Sequence, residues 1–428
     1  MSTETFNDLI SQGISLMSSE NYSAAKECFE KAIEIDNKSL DAYTHLGNAC
    51  ANIDLFDDAI ESFKKALLVD PSSGETYFSI GNIYLLKDDK LKAIEYYNRA
   101  EAEEYKSSEM YQIMTGIFFD ANDTAQALRS ITRAITAAPL DGELRLFKTR
   151  IFLSENRYDE ALESLDEMEK VLPDAFEAYD MTAQIYCGLK KYDEALKMCN
   201  NGILRFPEDA NLRLSKLKVL IEADKISEAA TLLDEMKSNG MYAQTLKEAA
   251  IQGSIIEIKS NNNDQAIASL IDANDSLNGD EDLLYLIMDL QGKTEKYEDS
   301  LKTSDALMSM ATSAFYSATA MYFHAYALDK TGQTDAAQKE YRKITNHLRK
   351  LTIADPAFYE GYIYRLLSHS RIGEYEKALE LSDYLENMYP NKSDAHAFRY
   401  FIYKEKGDLE MAEKEKALAK SINPDLNM

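Results

Sequence analysis

The chain has no tryptophan, and its 428 residues include only 4 cysteines, 5 histidines, 7 prolines and 16 glycines. Each shortage closes off a class of protein. Cys28, Cys50, Cys187 and Cys199 form no CxxC pair. Cys50 and Cys199 fall at core positions where they look like small buried apolar residues, and a reducing cytoplasm is the simplest setting. His45, His324, His347, His369 and His396 fall into no HExxH or paired-ligand spacing, and no metal is expected. The scarcity of proline and glycine favours helix over sheet. Long apolar runs are missing too: LLYLIM at Leu283–Met288 is among the longest and is far short of a membrane span. The opening MSTETFNDLISQG has neither a basic region nor a sustained apolar core, so no signal peptide is evident. Positive charge is also in deficit, with 47 basic against 74 acidic residues and a net charge of −27. That balance keeps a protein soluble, argues against general binding to nucleic acid or anionic membrane, and tolerates cationic partners.

What is present is a folded composition, 45% apolar with a mean hydropathy of −0.40, and a repeat. The stretch Leu40–Ser73 reads as two short amphipathic helices joined by a turn. With Leu40 as position 1, Tyr43, Leu46, Gly47 and Cys50 occupy positions 4, 7, 8 and 11. Phe56, Ala59, Phe63, Ala66 and Pro71 occupy positions 17, 20, 24, 27 and 32. Both sets follow the i, i+3, i+4, i+7 spacing of one helical face. Pro71 ends the second helix, because it lacks an N–H and disfavours a helical Asp70. One such hairpin cannot bury its own apolar face and needs neighbours.

The neighbours are in the sequence. Ala25, Ala59, Ala93, Ala127, Ala161, Ala195 and Ala229 stand in strict 34-residue register, a period that means a solenoid. Ala266, Ala337, Ala378 and Ala412 continue position 20 after the register slips, with Ser300 substituting once. Pro207 and Pro390 lie 183 residues apart, 13 more than five repeats, which matches insertions of 3, 3 and 7. Twelve repeats then begin at 6, 40, 74, 108, 142, 176, 210, 247, 281, 318, 359 and 393.

The Tyr–Leu–Gly–Cys and Phe–Ala–Phe–Ala–Pro sets resemble the tetratricopeptide-repeat family over roughly residues 6–426. Position 4 carries tyrosine where that family often has tryptophan, and Ser254 and Met288 replace the usual small residue at position 8. The resemblance implies an all-α, right-handed superhelical solenoid of antiparallel helix pairs, with first helices lining a concave groove. It also implies binding rather than catalysis. A regular array over 1–246, degenerate repeats over 247–317 and an aromatic-rich end over 318–428 are expected. The polar stretches Lys259–Asp264 and Asn278–Asp282 mark repeat 8 either as a softer joint or as ordinary drift.

Motifs for chemistry fail on particular residues. QGKT at Gln291–Thr294 lacks the upstream glycine of a phosphate loop, having Ile287 there. DANDSLNGDED at Asp272–Asp282 has Leu277 where a calcium loop needs glycine. No catalytic residue and no cofactor is expected.

Binding residues are sought where the family implies a groove, at positions 2, 5, 6, 9, 12 and 13. Asp41, Glu75, Glu109, Glu143 and Glu177 at position 2 are either a stripe for a basic peptide or first-turn matches to the helix dipole. Asn48, Asn82, Arg150, Gln184 and Lys218 at position 9 can hydrogen-bond an extended peptide. The clamp by which chaperone adaptors hold C-terminal carboxylates needs cations that Thr44, Glu75 and Ser79 do not supply. Toward the C-terminus the same face turns aromatic: Tyr322, Tyr326, Tyr364, Phe398 and Phe401 are candidate anchors, or core if the insertions rotate their helices. Lys339–Arg371 carries a local basic excess, with seven cations against three acids. It is a helix-end feature, a hold for an acidic segment, or a contact for the acidic face of a second copy. The function expected is a cytoplasmic, non-catalytic scaffold binding a protein or peptide. A peptide sensor that changes pitch on binding and an enzyme subunit are the alternatives.

Overall fold

A computed structural model describes residues 5–424 and 426. The described residues form 25 helices and no strand. By internal contact they divide into two units, residues 1–202 and 203–428.

The first unit is built from antiparallel pairs: Phe6–Ser18 with Tyr22–Ile35, Leu40–Ala51 with Phe56–Val69, and Gly74–Leu86 with Lys90–Ala102. Ser108–Asp120 with Thr124–Ala137 and Gly142–Ser154 with Tyr158–Val171 follow. Phe176–Gly188 and Tyr192–Arg205 follow in sequence, the last residues of the second passing the unit boundary. The second unit holds Ala210–Glu222 with Ile226–Ser238, a one-turn helix Met241–Gln244, and Leu246–Lys259 with Asn263–Ser276. Glu281–Lys293 with Tyr297–Met310 and Ala314–Lys330 with Thr334–Ala354 come next, then Tyr359–Arg371 with Tyr375–Met388 and Asp394–Lys406 with Leu409–Ile422. Twelve pairs thus begin at or within four residues of the twelve repeat starts.

Local chemistry explains where the first helices begin. Ser39, Ser73, Asp141 and Asp209 each stand at an N-cap, and their side chains accept the backbone N–H of the third residue on. This satisfies a donor that the helix itself leaves free. The turn inside each pair depends on one residue. Position 15 is left-handed in every repeat, at Glu20, Asp54, Asp88, Asn122, Asn156, Lys190, Asp224, Asn261, Glu295, Gly332, Gly373 and Gly407, with φ between 56° and 83°. Asp and Asn tolerate that conformation and glycine adopts it freely, whereas Glu20, Lys190 and Glu295 bear a cost of about 1–2 kcal/mol each.

Packing within each pair rests on position 20. All eleven alanines there and Ser300 are buried, none more than 2% exposed. Facing positions 8 and 24 trade volume. A Cβ added to Gly13, Gly47 or Gly81 would lie 2.4–2.7 Å from the ring of Phe29, Phe63 or Tyr97. In repeats 9 and 11 the sizes reverse: Met288 and Leu366 are buried in repeats whose position 24 is the buried Ser304 or Ser382. Position 8 in repeat 9 departs from the small-residue pattern, and its partner position shrinks to match.

The insertions have separate fates. The first three residues enter the connection through Gly240 (φ 80°) and the one-turn helix Met241–Gln244. The second group lets helix Ala314–Lys330 start four residues before its repeat does, at 17 residues long. The third lengthens the second helix of repeat 10, Thr334–Ala354, to 21 residues, against 14 in Tyr375–Met388.

Two glycines separate packing from propensity. Gly47→Ala should cost ~1–3 kcal/mol by driving a Cβ into the Phe63 ring. Gly116→Ala meets nothing within 4 Å and should gain ~0.5–1 kcal/mol of helix propensity. Thermal melts by circular dichroism read both; equal effects would refute the packing account.

Candidate partner-binding surface

The aromatic positions of repeats 10 and 11 converge in the second unit. Tyr322 on helix Ala314–Lys330 lies parallel to Tyr326, with centroids 6.3 Å apart at 15°, and stacks on Tyr364 of helix Tyr359–Arg371 at 5.2 Å. Thr319 Oγ1 donates to the Tyr364 hydroxyl at 3.1 Å. Tyr322 is buried, at 8% exposed, within a core cluster that includes Tyr341, Ile344 and Leu348. Burial raises the Tyr322 phenol to about 12, so it stays a neutral donor across the physiological range. Tyr364 is half-buried and likewise raised to about 12, again chiefly by burial.

Tyr326 is the ring that reaches outward. Tyr297 meets it edge-on at 6.0 Å, and two cations lie over it: Lys330 Nζ at 5.4 Å and the Arg371 guanidinium at 5.3 Å from the centroid. Arg371 pairs in turn with Glu405 at 3.3 Å. Lys330, Arg371 and Glu405 all occupy position 13 of their repeats. Reading that position alongside 5, 6 and 9 would have found them. In repeat 12, Phe398 is half-buried against the cluster containing Tyr362 and Leu366, while Phe401 is 46% exposed with its ring edge on Tyr400 at 4.9 Å.

The polar position-9 residues are spread one per repeat, and several already have internal duties. Asn48 is half-buried on helix Leu40–Ala51. Asn82 accepts from the Tyr97 hydroxyl at 2.8 Å, and Gln184 Nε2 donates to Asp180 at 2.8 Å. Arg150 is exposed, 3.8 Å from Glu143, with its guanidinium over Phe147. Lys218 is exposed on helix Ala210–Glu222. The position-2 acids all lie in the first turn of their helices, where the dipole favours them.

Three motifs with chemical overtones resolve into structure. Gly292 and Lys293 of QGKT end helix Glu281–Lys293 and form no loop. Between Asp280 and Asp282 sits an ammonium group: Lys247 Nζ lies 2.8 and 2.5 Å from the two carboxylates. Ser304, His324 and Asp305 come together, yet Ser304 Oγ at 3.3 Å and Asp305 at 3.1 Å both address Nδ1 of the imidazole. A nucleophile relay needs opposite ring nitrogens, and Ser304 is fully buried. Among the described residues no group of three or more His, Cys, Asp or Glu is arranged to hold a metal ion, and no helix is long and apolar enough to cross a membrane.

Tetratricopeptide-repeat family models match residues 10–67 and 53–108, 118–185 and 318–346. The chain belongs to the tetratricopeptide-repeat family. A comparison with curated proteins returns no match. Among solved structures, the tetratricopeptide protein YrrB, described as having an unusual peptide-binding site, is 22% identical, covering 47% of this chain and 99% of its own at a TM-score of 0.35. A Naa15/Naa10 complex bound to HypK-THB is 15% identical over 98% of this chain and 64% of that one, at 0.43. The Cut9–Hcn1 hetero-tetramer of the APC/C is 12% identical over 99% and 95%, at 0.40. The tetratricopeptide pattern accounts for the helix pairs.

Core and surface rings in this cluster should respond differently to truncation. Tyr322→Ala should lose about 3 kcal/mol or more, as large buried aromatics do, and Phe401→Ala less than about 1 kcal/mol. Urea unfolding of the two variants reads the difference, and a similar loss for both would place Phe401 in the core.

Proposed function

We propose that this tetratricopeptide protein is a non-catalytic scaffold that binds a peptide or protein segment along its first-helix faces, anchored by the aromatic end at repeats 10–12. The observation that carries this reading is Tyr326, a half-buried ring flanked by Lys330 and Arg371, with Phe401 exposed on the corresponding position two repeats on. An apolar ring ringed by cations, in a chain of net charge −27, suits a partner segment with an aromatic or aliphatic side chain next to a carboxylate. Membership of the family supports the scaffold role. Asn48, Asn82, Arg150, Gln184 and Lys218 would supply hydrogen bonds along the rest of the array, with Asn82 and Gln184 releasing internal partners to do so.

Tyr326→Ala combined with Phe401→Ala should abolish most partner capture, measured by affinity pull-down with quantitative mass spectrometry, while helicity and Tm stay close to wild type. Undiminished capture by a folded double variant would remove the site. We further propose that repeats 8–9 form a softer stretch within the array. Limited proteolysis should then cut first between Ser238 and Asp282, where Gly240, Asn278 and Gly279 all have positive φ; early cuts elsewhere with this stretch intact would count against it.

A further inference from the structure

Repeats 11 and 12 place an arginine at the same point of the first helix, position 7, and surround the two in opposite ways. Arg399 is buried, with Asp383 and Glu386 each 2.6 Å from its guanidinium and Glu415 at 3.8 Å. Asp383 and Glu386 are positions 25 and 28 of the preceding second helix. One repeat earlier those positions, on helix Thr334–Ala354, are Arg342 and Thr345, and Arg349 follows one heptad after Arg342. Arg365 therefore meets cations where Arg399 meets carboxylates.

A cleft of about 340 Å³ lies between these groups, lined by Arg342, Arg349, Arg365, Lys377, Thr345 and Asn346. Glu374 on its far wall is already engaged, 2.7 Å from His369 and 3.1 Å from Lys377. Among the described residues no carboxylate pairs with Arg342, Arg349 or Arg365. The Arg365 Nε is buried and has no hydrogen-bond partner. Burial first, and then the nearby Arg349, push the Arg365 pKa down, as expected of a cation held without its counter-charge. Such a group is costly to leave unpaired, and guanidinium forks match phosphate oxygens bidentately.

We propose that this cleft is an oxyanion site for a phosphate monoester dianion, with Arg342, Arg349 and Arg365 as its charge partners. A dianion fits better than one carboxylate because three guanidinium groups share the cleft without an acid of their own. The shared chemistry has two sources, a phosphorylated side chain of a partner or a free small phosphate. None of Tyr322, Tyr326 and Tyr364 lines this cleft.

The test is isothermal titration of the full chain with inorganic phosphate at low ionic strength, against sodium chloride of equal ionic strength. Saturable 1:1 binding and a phosphate-dependent rise in Tm are expected. Arg342→Asp installs the acid that Arg399 enjoys in repeat 12. It should weaken phosphate binding about tenfold or more without lowering Tm in phosphate-free buffer. Arg349→Ala, at an exposed position, should weaken binding by a similar factor and keeps the test valid if the first variant misfolds. A phosphoseryl peptide that displaces phosphate, where its unphosphorylated form does not, assigns the group to a partner chain; failure of both peptides assigns it to a small phosphate. No binding beyond the chloride control, or equal binding by both folded variants, overturns the proposal.

Discussion

The close crossing of the two helices in each pair is the constraint on which the structure depends. At position 20 the second helix has room for alanine or serine only, and this holds in all twelve repeats. Position 27 behaves alike in the first four, with Ala32, Ala66, Ala100 and Ala134 fully buried. Helices held this near pack side chains from one pair into the next, which is how units too short to be stable alone become so together. Positions 8 and 24 then share a fixed volume, spent as glycine with a ring in repeats 1–3 and as a large residue with serine in repeats 9 and 11. The individuality of each repeat is free to vary only outside this crossing.

That division explains what could be read from the sequence. Helix pairs, register and the location of the insertions were legible because alanine and proline recur at fixed intervals, and such regularity reflects packing that every repeat must satisfy. The left-handed residue at position 15 was only partly legible: its aspartates, asparagines and later glycines suit that conformation, but Glu20, Lys190 and Glu295 are poor choices for it. At the candidate surface, the convergence of Tyr322, Tyr326 and Tyr364 could be anticipated from their positions, but their division of labour could not. Tyr322 is buried because helix Thr334–Ala354 brings Tyr341 and Ile344 against it, a contact between elements that a periodic pattern does not encode. The contacts of Lys330 and Arg371 with the Tyr326 ring were not legible, because a cation on a helix looks like a solvated face until a ring is found beneath it.

Charge in this chain is locally ordered beneath its overall acidity. Repeats 11 and 12 together gather acids around Arg399 and His396: Asp383 and Glu386 from the first, and Glu415, which accepts from or faces both, from the second. Repeat 10 concentrates arginines on one second helix. At position 25 the acid Asp383 of one repeat is the cation Arg342 in its neighbour, and at position 28 Glu386 is the neutral Thr345, so two adjacent copies of one hairpin differ in charge at equivalent points. In repeat proteins this is an economical way to diversify, since position 25 of the second helix lies outside the crossing and can change sign without disturbing it.

The length of helix Thr334–Ala354 has a geometric corollary. Seven added residues are close to two full α-helical turns of 3.6 residues, so the extension leaves the helix almost in phase, off by roughly 20°. Every stripe along it is prolonged rather than rotated, and Arg349 falls in line with Arg342. An added length of two or five residues would have swung the helix's last residue, and the chain that leaves it, to another side of the axis. A heptad-sized lengthening thus carries the helix further while returning its end to nearly the azimuth at which the shorter helix would stop.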